Sequence, residues 1–191
     1  MTDIRYATFS IIDVETTGLS PERDRICEIG VIKIKDGKEV NRYETLVNPQ
    51  IPLPPGASAV NQITSEMLTN APPFEKISRQ FAGFIDGTIL AAHNAQFDLG
   101  FINSAFERDG HPRWAGTTID TIYIARQAMP GLFSYSLDAL TIRLGIPYTR
   151  RHRSMADVEI TAKLFLQCIS MLTEKGIVKT LEDLIKAGRV K

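Results

Sequence analysis

Cysteine is scarce in this chain of 191 residues, which holds only Cys27 and Cys168. One lies in a strand-like stretch and the other in a helix-like one. Two such residues make neither a disulfide framework nor a cysteine metal cluster, and a reducing compartment is expected. An excess of charge of either sign is also missing, since Lys plus Arg and Asp plus Glu both number 22. That balance argues against broad coating of a polyanion and leaves room for a local basic patch. No apolar run reaches the length of a membrane span, and Met1 to Ser10 lacks the apolar core of a leader. A soluble cytoplasmic protein without membrane contact is therefore expected. Repeats, low-complexity tracts and interdomain linkers are absent as well. With 43% apolar residues, one domain with a sizeable core is the expectation.

The stretch around which the rest is organised runs from Phe9 to Gly18, FSIIDVETTG. Phe9 to Val14 is apolar and β-branched, as suits a strand buried on both faces. Asp13 and Glu15 interrupt it at its C-terminal end. Strand residues two apart share a face, so these carboxylates point the same way, roughly 7 Å apart along the chain. Two like charges on a mostly buried element repel unless a cation or a proton joins them. The bland alternative is a solvated strand end before the turn at Thr16-Thr17-Gly18.

Further along, Ile26 to Lys35 and Glu39 to Val47 read as strands joined at the hairpin signal Asp36-Gly37. Asn48 to Ala57, with four prolines, reads as an extended connector. A short helix starts at Thr64-Ser65-Glu66 and ends before Pro72-Pro73. Phe74 to Ile85 has helical spacing, Thr88 to Ala92 is a short strand, and Phe97 to Arg108 is a helix. A strand ends at Asp120, and Thr121 to Leu144 is mainly helical with a break near Pro130-Gly131. A long helix follows from Ser154 to Leu172, with Val158, Ala162, Phe165, Ile169 and Leu172 as its inward stripe. Thr180 to Ala187 is one more short helix. A meander followed by alternating strands and helices implies a mixed sheet with helices packed on it. Asp13 and His93-Asn94 should then meet at one sheet edge.

Asp98 falls in the first turn of a helix, where the dipole alone favours an acid. Asp157 completes a capping-box pattern with Ser154, which needs no metal to justify it. His152 stands just upstream among Arg150, Arg151 and Arg153, placed to face one site with Asp157. His93 and His111 read as structural and surface residues respectively.

Taken together, Asp13-x-Glu15-Thr16-Thr17-Gly18, His93-Asn94-Ala95-x-Phe97-Asp98 and His152-x-x-x-x-Asp157 resemble the three motifs of the DEDD exonuclease superfamily. The histidine five residues before the last Asp is similar to the DEDDh subgroup; the tyrosine subgroup carries Tyr where Arg153 stands. The resemblance covers Tyr6 to Leu172. Leu46-Val47-Asn48-Pro49 and Ile63-Thr64 look like a connector of the proofreading exonucleases of bacterial DNA polymerase III and their stand-alone relatives. Many of these carry His-Gly where this chain has Asn61-Gln62. Oligoribonuclease is a poorer match.

The resemblance implies a ribonuclease H-like mixed five-stranded sheet flanked by helices, with an exonuclease domain at 1–175 and a short helical tail at 176–191. It implies 3′→5′ hydrolysis of DNA, in proofreading or repair, with release of nucleoside 5′-monophosphates. Asp13, Glu15, Asp98 and Asp157 would hold two Mg²⁺ ions, with Mn²⁺ able to substitute. His152 would be the general base, since imidazole titrates in the range that role needs. Glu15, Thr16, Thr17, Phe97 and His152 would contact the substrate, a single-stranded or frayed 3′ end. A DNA polymerase is the partner implied. An RNA-trimming exonuclease and a noncatalytic docking module are the rival readings; the presence of all four acids and the histidine argues against the second.

Overall fold

The computed structural model describes residues 2–148 and 152–190. Its first strand, β1 (Thr8–Thr16), is central to a single sheet. Antiparallel to it runs β2 (Ile26–Lys35), and β3 (Lys38–Leu46) is antiparallel to β2 in turn. The turn between them places Asp36 and Gly37 at φ +49° and +69°, the left-handed pair that a tight hairpin demands. On the other side of β1 lie the parallel strands β4 (Ile89–Ala92) and β5 (Thr118–Asp120). The order β3-β2-β1-β4-β5 makes a mixed five-stranded sheet.

Alternation along β1 sends its side chains to two cores. Phe9 and Ile11 join one, where Phe9 meets Phe165 edge-on at 5.2 Å. Ile12 and Val14 join the other, with Phe81 and Phe101. Burying each such side chain contributes about 1.5–3 kcal/mol.

Helices cover both faces. Between β3 and β4 come α1 (Pro55–Asn61), α2 (Ser65–Thr69) and α3 (Phe74–Ile85). The second core packs under α3 and under α4 (Ala95–Arg108). The first lies beneath α5 (Thr121–Ala128), α6 (Leu137–Arg143), α7 (Ser154–Glu174) and α8 (Leu181–Gly188). Among the described residues, no helix is long and apolar enough to cross a membrane. Both cysteines are buried free thiols.

Three expectations need correction. The connector after Asn48 is not extended as far as Ala57, because α1 begins at Pro55. Proline at a first helical position gives up an N–H that has no intrahelical partner anyway. Helix α4 begins two residues before Phe97, after Asn94 takes a left-handed φ of +72°. On α7 the fully buried residue near the end of the stripe is Cys168, while Ile169 is half-buried. That helix packs on the sheet and on α5 and α6 together, so its apolar face is wider than a single stripe.

The last segment docks rather than trails. Thr180 and Asp183 form a reciprocal capping box at the start of α8. Leu184 is fully buried in the first core, and Arg189 bridges to Ile119 of β5.

Candidate active site

The parallel strands β1, β4 and β5 end along one edge of the sheet, the usual place for a site in an α/β fold. Asp13 and Glu15 stand there on the face that β1 shares with Phe9 and Ile11, and α7 covers this face. Asp157 lies in the first turn of α7 and is 5% exposed. Asp13, Glu15 and Asp157 each offer a carboxylate oxygen, and these oxygens lie within 4.8 Å of one another. Three hard oxygen donors at that spacing fit a divalent cation such as Mg²⁺ or Mn²⁺.

Asp98 reaches the same edge by a different route and stands outside this group of three. It comes from α4, on the opposite face of the sheet. Strand β4 pairs with β1 only up to Ile11 and Ala91. Beyond that point the Val14 N–H donates to Asp98 Oδ1 at 3.0 Å, where a strand neighbour would otherwise stand. Burial pushes the Asp98 carboxyl up to about 8. The Val14 and Asp98 N–H groups oppose that rise, and the Asp120 and Glu15 charges add to it.

His152 is exposed on the turn before α7, with φ +59°. Its N–H donates to Asp157 Oδ2 at 3.3 Å, which couples the turn to the acid. Arg150 and Arg151 lie outside the described residues. Arg153 is not available as part of a basic surface, because it forks onto Glu28. Its Nε donates to both Glu28 oxygens at 3.0 and 3.1 Å, and its Nη2 makes a third, short contact. This pairing holds the guanidinium above its ordinary value.

The capping box read at Ser154 and Asp157 does not form. Arg153 is the N-cap, with no side-chain cap bond, and Ser154 begins the helix itself. Glu28 on β2 takes the Ser154 N–H at 2.8 Å instead, and Asp157 takes the His152 N–H and faces the other acids.

The expected substrate contacts divide by environment. Thr16 Oγ1 donates to the Gly18 carbonyl at 2.6 Å. Thr17 is buried, and its Oγ1 accepts the Arg25 N–H at 3.0 Å, so its side chain secures the turn. Phe97 is half-buried with its ring 5.0 Å from Phe101. His93 is structural, as its sequence suggests: its ring nitrogens meet Thr121 Oγ1 at 2.8 Å and the Tyr135 carbonyl at 3.0 Å.

Three further residues border the site, of which Asn61 was marked in the sequence only as a departure from the family pattern and Asp120 only as a strand end. Asp120 ends β5 and accepts the N–H groups of Asn94, Ala95 and Ile122, which fixes the start of α4 below Asp98. Asn61 is buried beside the site strand, with Nδ2 3.5 Å from the Thr16 carbonyl. Its neighbour Gln62 holds φ +58°, a left-handed position that favours glycine. Glu28, 1% exposed, had a readable signal as the one acid inside the apolar run Ile26 to Ile32.

A mixed sheet whose strand ends gather carboxylates from β1 and α7 has the ribonuclease H-like arrangement, with three acids spaced to hold a divalent cation. The chain belongs to the RNase T exonuclease family, whose sequence profile matches residues 10–165. It is 39% identical over 176 residues to the DNA polymerase III PolC-type protein of Thermotoga petrophila. The match takes in 92% of this chain and 13% of that protein. The corresponding protein of Staphylococcus haemolyticus is 35% identical over 175 residues, 92% of this chain and 12% of its own length. The chain thus spans only about an eighth of these relatives. Exonuclease X, solved in complex with 5′ overhanging duplex DNA, superposes with a TM-score of 0.72 at 32% identity, covering 94% of this chain and 98% of that one. Escherichia coli exonuclease I, solved with a dT13 oligonucleotide, shares the fold with a TM-score of 0.80 at 20% identity, over 89% of this chain and 42% of its own.

Proposed function

We propose that this chain is a Mg²⁺-dependent 3′→5′ exonuclease that hydrolyses DNA from its 3′ end and releases nucleoside 5′-monophosphates. The observation that carries this reading is the convergence of Asp13, Glu15 and Asp157 beside His152. Those three acids, with Asp98 from the α4 side, would hold two divalent cations. Such a pair would supply charge neutralisation at the scissile phosphate, a more acidic attacking water and a stabilised leaving oxygen. His152, exposed on the turn beside Asp157, would accept the proton of that water. Glu15 and the backbone of Thr16 and Thr17 hold the terminal 3′-hydroxyl, and the open side of Phe97 stacks on the last base.

DNA is favoured over RNA by the likeness to exonuclease X, whose solved complex contains DNA. The PolC-type relatives support a role beside a replicative polymerase, in proofreading or repair in the cytoplasm. The activity belongs to residues 1–175, with 176–191 as a helical tail docked through Leu184.

Incubation of the purified chain with 3′-labelled DNA and RNA, with and without Mg²⁺, tests the reading. Labelled 5′-mononucleotide should appear from DNA only with the metal, and Asp13→Ala should abolish it in a folded protein. Mononucleotide release that survives Asp13→Ala, or no release from any 3′ end, would overturn it.

A further inference from the structure

Asp157 faces the other acids and takes the His152 N–H, so the Ser154 N–H at the start of its helix needs a different acceptor, which β2 supplies. Glu28 lies directly opposite Glu15 in the antiparallel register, so both project from the same face of the sheet. Its Oε2 accepts the Ser154 N–H at 2.8 Å, one of the donors that a helix start leaves without an intrahelical partner. The carboxylate also sits at the positive end of the α7 dipole. The Arg153 guanidinium, whose side chain is 18% exposed, closes over it as a fork.

A second observation points to the same place. Gly30, opposite Asp13, has the α7 backbone against it. A Cβ there would fall 2.8 Å from the Ser154 carbonyl carbon and the Met155 nitrogen, a separation real side chains do not adopt. Helix α7 therefore rests on the β2 backbone, seated by Gly30 and held by Glu28, directly beside the two β1 acids. Buried ion pairs are poor sources of stability, because desolvation offsets their attraction; setting register is their best-attested use.

We propose that Glu28, through Arg153 and the Ser154 N–H, is a positioning residue that sets His152 and Asp157 against Asp13 and Glu15. It touches neither substrate nor metal. The proposal rests on the exonuclease reading above.

The double variant Glu28→Met/Arg153→Met removes both buried charges together, so none is left uncompensated. We expect it to fold, with Tm within about 4 °C of the parent. Turnover should fall about 10–100-fold, the usual effect of removing a group that orients a metal ligand. KM for a single-stranded DNA should stay within about twofold, and the Mn²⁺ concentration for half-maximal rate should rise. If the double variant does not fold, Glu28→Asp keeps the charge but shortens the reach, and the same split in kcat and KM is expected. A folded variant with full turnover overturns the proposal. So does raised KM with unchanged kcat, which would make Arg153 a contact to DNA. Asp13→Ala, assayed in parallel, separates the two failures. If it is inactive while the double variant is at full rate, only the positioning role is lost; if it is active, the site itself is misassigned.

Discussion

Among single residues, Asp98 has an environment far from that of an ordinary carboxylate. Its value in the fold lies near 8, against 3.8 for the free side chain. Between those values the unfolded chain releases a proton that the folded chain keeps. The folded state then binds more protons, so the stability of metal-free protein should fall as pH rises from about 4 to about 8, at up to about 1.4 kcal/mol per pH unit. Denaturant titrations in EDTA across that range check the slope, which Asp98→Asn should abolish. A bound divalent cation favours the ionised form and should flatten it. His152 makes a different demand. As a base rather than a ligand, its replacement in His152→Ala should lower turnover about 10²–10⁴-fold and leave metal binding in place. Isothermal titration with Mn²⁺ beside single-turnover kinetics reads both quantities, and parallel losses in the two would make His152 a ligand.

At the scale of elements, α7 carries the main lesson. Ser154-x-x-Asp157 has the letters of a capping box, yet the helix starts one residue earlier than that reading requires. Ser154 is drawn inside, and among the described residues its hydroxyl is the one buried side-chain polar atom without a partner. Such a group costs about 1–3 kcal/mol. Ser154→Ala should therefore raise stability by about 1 kcal/mol, seen as a Tm gain of about 2–4 °C. A loss instead would mean that the hydroxyl is bonded in solution. Strand β1 and helix α3 were readable because period and composition agree locally along each. Helix α1 was not, since proline marks a helix start as readily as an extended connector.

For the whole molecule, the balance of 22 basic and 22 acidic residues leaves little surface to grip a polyanion. Arg153 is withdrawn from that surface by Glu28. Few phosphate contacts release few counterions, so the salt dependence of binding should be shallow. Acids at a sheet edge also need a 3′ end freed from its partner strand, and unpairing costs energy. The chain should thus degrade single strands faster than paired ends and dissociate after one or a few cleavages. A trap experiment with excess unlabelled strand checks this; long processive digestion of fully paired ends at physiological salt would contradict it. By itself the sequence determined the first strand and the mixed sheet with its flanking helices, and it singled out the acids and histidine proposed for the site, since these are written in local period and motif. The partner of Glu28, the seat of α7 on Gly30, the tie from Asp98 to Val14 and the anchoring by Asp120 were decided only in three dimensions. Each joins groups distant along the chain, and their selectivity comes from desolvation and close approach, which exist only once the sheet and helices have packed.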